Sequence, residues 1–324
     1  MNSKDLRKLG ESNLYVSPIG LGCWQFSQGK GLSGKFWPKL EEESIKNIID
    51  ETIRVGINWF DTAESYGLGE SERTLSRSLD KLEIDRKNII IATKWWPTFK
   101  TSKSISKTIN NRLTNLNTQV IDLYQIHNPY SFSGINSQMK EMSKLVEDVK
   151  VKYIGVSNFS AKQMERAYKS LHQYDLKLVS NQVNYSLINR GIEKNGVLNL
   201  ARDLGITVIA YTPLGRGLLT GKYHENSTYL SEKGLIRRLG SSLNKRNIER
   251  TRDLVTKLIE LGKKYGATPS QIALNWVINF HGGCIVAIPG ATKVEQARDN
   301  GNAMKFKMSG EDMDELNNLS FKFK

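Results

Sequence analysis

An aspartate, a tyrosine, a lysine and a histidine fall at or just after the ends of successive apolar runs. Asp61 closes Ile57-Asn58-Trp59-Phe60, Lys94 closes Ile89 to Thr93, and His127 closes Ile121 to Ile126. Tyr66 follows Asp61 on a short loop, Thr62-Ala63-Glu64-Ser65. Asp61 to Lys94 is 33 positions (94 − 61), and Lys94 to His127 another 33 (127 − 94). Each step is about one strand plus one helix. A carboxylate, a phenol, an ammonium and an imidazole at successive strand ends would make a proton-handling site. A free tyrosine has a pKa of about 10 and is a poor acid at neutral pH. A nearby ammonium favours phenolate and lowers that value, and a carboxylate keeps the ammonium charged and oriented. An imidazole can hydrogen-bond a carbonyl oxygen. With no metal and no nucleophile, the set suits carbonyl reduction more than hydrolysis.

A lone strand-end lysine or histidine is ordinarily a surface or satisfied core residue. Four such groups at matching ends weigh against that, because catalytic groups in barrels come from several strand ends. His127 as a metal ligand lacks a close second ligand among the four histidines (127, 172, 224 and 281), so no metal site is expected.

The elements that must carry these groups are short Ile- and Val-rich runs. Strands are expected at Ser17–Gly22, Ile57–Asp61, Asn88–Lys94, Ile121–His127, Tyr153–Ser157, Leu178–Asn184, Ile206–Thr212 and Cys284–Ile288. Helical spacing separates them, as in Glu41–Val55, Glu70–Asp80, Ser104–Leu116 and Ala161–Leu171. Ser160 and Thr268-Pro269 read as helix starts. Eight strands alternating with helices predict a parallel sheet closed into a (β/α)8 TIM barrel, an α/β fold. No low-complexity linker divides residues 1–324, so one domain is expected. Ser309–Leu319 reads as an extra C-terminal helix.

Gly29-Lys30-Gly31-Leu32-Ser33-Gly34 matches G-x-G-x-x-G, but no strand runs directly into it and Pro38 delays the next helix. A dinucleotide fingerprint needs a strand–turn–helix unit, so the segment reads as a Gly-rich loop over the barrel mouth.

Hydrophobic content of 39% and charged content of 25% fit a globular chain. Two distant cysteines indicate neither a disulfide framework nor a Cys-type zinc site, which fits a reducing cytoplasm. There is no run long enough to span a membrane and no secretory-signal pattern. The net charge of +14 sets only non-specific attraction to nucleic acid, and no recognition motif accompanies it. The basic residues between Lys233 and Arg252 would equally suit a phosphorylated cofactor.

From about Arg7 to Asn300 the chain resembles the aldo-keto reductase family. Asp61-Thr62-Ala63-Glu64-Ser65-Tyr66-Gly67 looks like its first signature, Ile154-Gly155-Val156-Ser157-Asn158-Phe159 a second, and Ile288-Pro289-Gly290 through Asn300 a third. The resemblance is to the branch that includes bacterial and archaeal members and the potassium-channel β subunits. It implies a TIM barrel with an N-terminal β-hairpin that binds NADP(H), NAD(H) being the weaker expectation, without a Rossmann fold. It also implies that Tyr66 donates the proton, Lys94 tunes it, Asp61 partners Lys94, and His127 orients the carbonyl. Ser157, Asn158 and Gln182 would hold the nicotinamide carboxamide, with Tyr211 stacked on the ring. Leu214, Gly215 and Arg216 would approach the pyrophosphate, and Pro289, Gly290, Ala291, Thr292, Lys293, Gln296, Asp299 and Asn300 the adenosine end. Gly22, Cys23, Trp24, Asp61, Thr212, Pro213, Gly217, Lys222 and Arg238 complete the expected cofactor track.

Two positions depart from the family pattern: Gly290 stands where many members carry a lysine, and Gln296 where many carry an arginine. Lys293, Arg298 or the basic Lys233–Arg252 stretch could substitute in gripping a 2′-phosphate. Trp24, Tyr66, Trp95, Trp96, His127, Asn128 and Tyr130 are the expected substrate-pocket residues. The expected activity is NADPH-dependent reduction of an aldehyde or ketone by a monomer or homo-oligomer, with a small-molecule carbonyl as partner. The rival expectation is a slow-turnover NADP(H)-binding regulatory protein like the channel β subunits.

Overall fold

In the computed structural model the described residues are 6–225 and 243–324. Eight parallel strands form one sheet: β3 (Leu21–Gly22), β4 (Trp59–Asp61), β5 (Ile90–Trp95), β6 (Ile121–Ile126), β7 (Val151–Ser157), β8 (Leu178–Asn184), β9 (Thr207–Tyr211) and β10 (Ile285–Ile288). They lie in chain order, and isolated parallel bridges Ile19–Ala287 and Gly22–Gly290 bring the first strand back to the last. Two short strands, β1 (Arg7–Lys8) and β2 (Tyr15–Val16), pair antiparallel as the expected N-terminal hairpin. Its Leu9, Leu14 and Val16 join Trp59, Ala92, Leu123, Val179, Ile209 and Val286 in one buried cluster inside the barrel.

The helices take their places for local reasons. In Glu42–Arg54, Ile45, Ile48, Ile49 and Thr52 recur at helical spacing and are buried in the layer between helices and sheet. Each such isoleucine contributes ~1.5–3 kcal/mol on burial. Ser160 and Gln163 form a reciprocal capping box on Ala161–His172, and Thr268 and Gln271 do the same on Pro269–Asn279. The C-terminal helix runs Gly310–Leu319, with Ser309 accepting from the Asp312 amide.

Strand bounds differ from expectation where backbone pairing is short. The first barrel strand is only Leu21–Gly22, and Asn88 closes a 3₁₀ turn, so β5 begins at Ile90 and extends to Trp95.

Strand pleating decides which side chains reach the site. On β4, Trp59 is inside the barrel and Phe60 in the outer layer, which turns Asp61 inward. On β5, Ala92 is inside while Ile91 and Trp95 are outside, which turns Lys94 inward. On β6, Leu123 is inside and Tyr124 and Ile126 outside, so Gln125 and then His127 follow the inward side.

Candidate active site

A cavity of about 1380 Å³ opens at the C-terminal ends of the strands, and Asp61, Tyr66 and His127 line it. Lys94 lies beneath, fully buried, with Nζ 2.5 Å from Asp61 Oδ1, 2.8 Å from the Thr62 carbonyl and 3.5 Å from the Tyr66 hydroxyl. The Tyr66 and His127 rings meet edge to face at 5.6 Å between centroids. The four residues singled out by spacing therefore converge.

Burial would strip the Lys94 charge, but Asp61 and Tyr66 outweigh it and hold its pKa above the ordinary lysine value. Burial pushes the Tyr66 phenol above its ordinary value, and Lys94 offsets only part of that rise. Lys94 thus acts in the expected direction, but desolvation is the larger effect and Tyr66 rests as a protonated O–H. Burial, reinforced by Lys94, pulls His127 well below the ordinary histidine range and leaves a neutral imidazole. The Ser65 hydroxyl lies 3.3 Å from His127 Nδ1.

Tyr66 is set by the turn that follows it. Gly67 has φ +63°, and a Cβ there would stand 2.4 Å from the Ser27 carbonyl oxygen, so the chain needs glycine at this close approach.

Most of the expected cofactor residues gather on the β7–β10 side, with Gly22, Cys23 and Trp24 at the adjoining end of β3. Ser157 Oγ donates to the Gln182 carbonyl at 2.9 Å, Asn158 Nδ2 donates to Ser157 Oγ at 3.1 Å, and the Tyr211 hydroxyl donates to Asn158 Oδ1 at 3.0 Å. Gly22, Cys23, Trp24, Thr212, Pro213, Leu214, Arg216, Gly217 and Lys222 line the same cavity, as do Pro289, Gly290, Ala291, Thr292, Lys293, Gln296, Asp299 and Asn300. Gly215 does not; it is buried with φ +57°, and Ile188 occupies the place of its missing Cβ. Arg238 lies outside the described residues, as does the stretch from Lys233 to residue 242. Arg298 is taken up by an ion pair with Glu51 at 2.7 Å and does not line the cavity, whereas Lys293 does. The Gly-rich segment forms a helical turn at Gly31–Gly34, with Gly31 at the cavity and Lys30 paired to Glu70 at 2.9 Å.

Three substrate-pocket expectations fail. Trp95 is one step from Lys94 along a pleated strand, so it points outward; it is fully buried and donates to Ser104 Oγ at 3.0 Å. Asn128 closes a turn by accepting from the Tyr130 amide at 2.9 Å, and Tyr130 projects into solvent at 73% exposure. Trp96 faces the cavity instead, edge-on to His127 at 5.1 Å. Trp24 stacks on Phe36 at 5.1 Å and on Tyr66 at 6.0 Å.

Sequence reasoning missed several groups. Gln125, fully buried, donates to Asp61 Oδ2 at 3.1 Å. It shares the inward side of β6 with His127, so strand alternation could have found it. Glu64 accepts from the Trp96 amide at 2.7 Å and pairs with Arg112 at 2.5 Å. The Gln25 carboxamide fills the place of a side chain at 290: a Cβ on Gly290 would stand 2.0 Å from its Nε2. A side chain at 290 would have to push this flexible carboxamide aside. Gln25 Oε1 and Asn300 Nδ2 are buried at this end of the cavity, without a hydrogen-bond partner among the described residues.

Among the described residues, no helix is long and apolar enough to cross a membrane. Residues 18–320 match the profile described as the Aldo/keto reductase family. The chain is 34% identical over 319 residues to the probable aldo-keto reductase 1 of Glycine max, spanning 95% of this chain and 87% of that one. A glycerol dehydrogenase structure from Gluconobacter oxydans superposes with a TM-score of 0.84 at 26% identity, covering 100% of this chain and 97% of the other. The fold is shared with an aldo-keto reductase from Klebsiella pneumoniae solved in complex with NADPH, at TM-score 0.74 and 24% identity over 98% of this chain and 95% of that one. The expected family is thus the observed one: the chain belongs to the aldo/keto reductase family of oxidoreductases.

Proposed function

We propose that this protein reduces an aldehyde or ketone to an alcohol with NADPH, in a reducing cytoplasm, and that Tyr66 donates the proton. The observation that carries the reading is the buried Asp61–Lys94 pair set against the Tyr66 hydroxyl, with a neutral His127 beside it. A substrate oxygen resting between Tyr66 and His127 would meet two neutral donors. A Ser65 hydroxyl donating to Nδ1 leaves the proton on His127 Nε2, available to a carbonyl oxygen. When bound, NADPH supplies the hydride to the carbonyl carbon. As that carbon is reduced, the Tyr66 proton passes to its oxygen. The Lys94 ammonium, kept charged by Asp61, then stabilises the phenolate left behind. A proton from water restores the phenol.

The residues present fit the cofactor. The buried Gln25 Oε1 and Asn300 Nδ2 offer an unmet acceptor and donor at one end of the track. Nearby, the Val294–Asn302 helix starts at Lys293 with no side-chain cap, leaving its first amides for an anion. Lys293 adds a cation and favours NADP(H) over NAD(H). Ser157, Asn158 and Gln182 would hold the carboxamide at the other end, and Tyr211 would stack on the ring. The Klebsiella pneumoniae structure with NADPH supports the choice of cofactor for this fold.

The test is steady-state oxidation of NADPH with a panel of aldehydes and ketones. At least one compound should turn over on the order of once per second or faster. Turnover below about one per minute on every compound would leave a regulatory binder rather than a reductase.

A further inference from the structure

The cavity continues beyond the tetrad. It runs from His127 past Trp96 and over the Lys103–Asn115 helix, where Lys100, Thr108, Asn111 and Arg112 line it. This arm is on the β4–β6 side of the barrel, away from the cofactor track on β7–β10. Its floor is an ion network. Glu64 Oε1 accepts from Lys100 Nζ at 2.6 Å, and Glu64 Oε2 from Arg112 Nη1 at 2.5 Å. Arg112 Nε also reaches Glu72 Oε2 at 2.8 Å, while Glu72 Oε1 accepts from Thr93 Oγ1 at 2.6 Å. Two carboxylates thus answer two cations, and no charge is left uncommitted.

What remains open in the arm is neutral. Asn111 is exposed, and among the described residues its carboxamide enters no side-chain hydrogen bond. Thr108 Oγ1 donates to the Ser104 carbonyl at 2.7 Å and faces the buried Tyr124 hydroxyl, so Asn111 is the polar group left for a ligand. At the tetrad itself the cavity is lined by rings: Trp96 edge-on to His127, and Trp24 stacked on both Tyr66 and Phe36.

We propose that this arm is a subsite for the far end of the substrate, and that the preferred substrates are elongated aromatic carbonyl compounds ending in a neutral hydrogen-bonding group such as a hydroxyl or amide. The proposal rests on the reductase reading of the tetrad. The rings favour a flat aromatic head at the reacting end. An anionic tail would have to draw Lys100 from Glu64, leaving that buried carboxylate with Arg112 as its one remaining cation. An alkyl tail would desolvate Asn111 without replacing its hydrogen bonds with water.

The experiment compares benzaldehyde with para-substituted benzaldehydes whose tails increase in length and end in methyl, hydroxyl or carboxylate. NADPH is saturating, and wild type is set beside Asn111→Leu, a substitution on an exposed helix face. At one tail length the hydroxyl compound should show a KM about fivefold below that of benzaldehyde, the worth of one net hydrogen bond, with kcat unchanged. Asn111→Leu should erase that gain and leave benzaldehyde kinetics as they were. Hydroxyl tails no better than methyl tails, or a gain that survives Asn111→Leu, would overturn the subsite. Tightest binding by the carboxylate tail would overturn the neutral class. Failure of wild type to reduce any of the compounds would instead bring down the reductase reading and the subsite with it.

Discussion

Gln182 donates its side-chain amide to Asp61 Oδ2 at 2.8 Å while its backbone carbonyl accepts from the Ser157 hydroxyl. In the sequence these belong to two tracks, one for proton transfer and one for the cofactor. In the fold a single glutamine joins them. Asp61 spends one oxygen on Lys94 and the other on Gln182 and Gln125. Gln182→Leu should therefore lower kcat about tenfold as well as weaken NADPH binding, since a hydrogen bond to a buried charge is lost. Pre-steady-state reduction and cofactor titration separate the two effects. A variant with weaker cofactor binding and an unchanged rate constant would show that Gln182 serves the cofactor alone.

The pH profile follows from the directions of the shifts. Tyr66 and Lys94 titrate above their ordinary values and His127 below its own. Reduction needs a protonated Tyr66, which persists as long as pH stays below its raised pKa. His127 is already neutral at neutral pH and gains a proton only well into the acid range. With NADPH saturating, kcat/KM for an aldehyde should be flat from about pH 6.5 to about pH 10. An ionisation near pH 7 would contradict this assignment.

Glu70 gives the fold a share of stability that acid removes. Its burial favours the neutral form, but Lys30, Arg77 and Arg73 more than offset that and hold the carboxyl at about 2, against an ordinary 4.5. Because the folded value is depressed, the contribution is complete above the unfolded value and is lost as pH falls toward the folded one. The cations are partly solvent-exposed, so about 1 kcal/mol, or roughly 2 °C in Tm, is a reasonable size. Glu70→Gln should melt lower than wild type by that margin at neutral pH, and the gap should narrow in calorimetry near pH 3. A gap of constant size would point to lost packing instead.

Cofactor choice should depend on Lys293 and not on Arg298. Lys293→Ala should raise the NADPH dissociation constant about tenfold and change that for NADH less than twofold, as loss of a charge-assisted phosphate contact would. Arg298→Ala, which breaks only the pair with Glu51, should alter neither. Fluorescence titration of both cofactors checks this, and equal losses for NADPH and NADH would remove Lys293 from the 2′-phosphate.

Much of the site was legible because strand ends recur at a fixed spacing and pleating has a period of two. Asp61, Lys94 and His127 follow from the spacing, and both capping boxes from local sequence. The same period, applied strictly, excludes Trp95 and admits Gln125, since each differs by one step from a neighbour of opposite facing. Long-range contacts were less legible. Nothing near Gly290 in the chain announces that Gln25 fills its side-chain space, and Arg112 meets Glu64 and Glu72 only once helix and barrel have packed. The resting state of Tyr66 also depends on burial, which no pairing rule in the sequence measures.

The role of Tyr66 is tested most directly by stopped-flow oxidation of NADPH with an aromatic aldehyde in Tyr66→Phe. Removing a general acid should slow reduction by about a hundredfold to ten-thousandfold. The NADPH dissociation constant should stay within about twofold of wild type, because only one hydroxyl is lost. A variant that keeps more than about half of the wild-type rate would contradict Tyr66 as the proton donor.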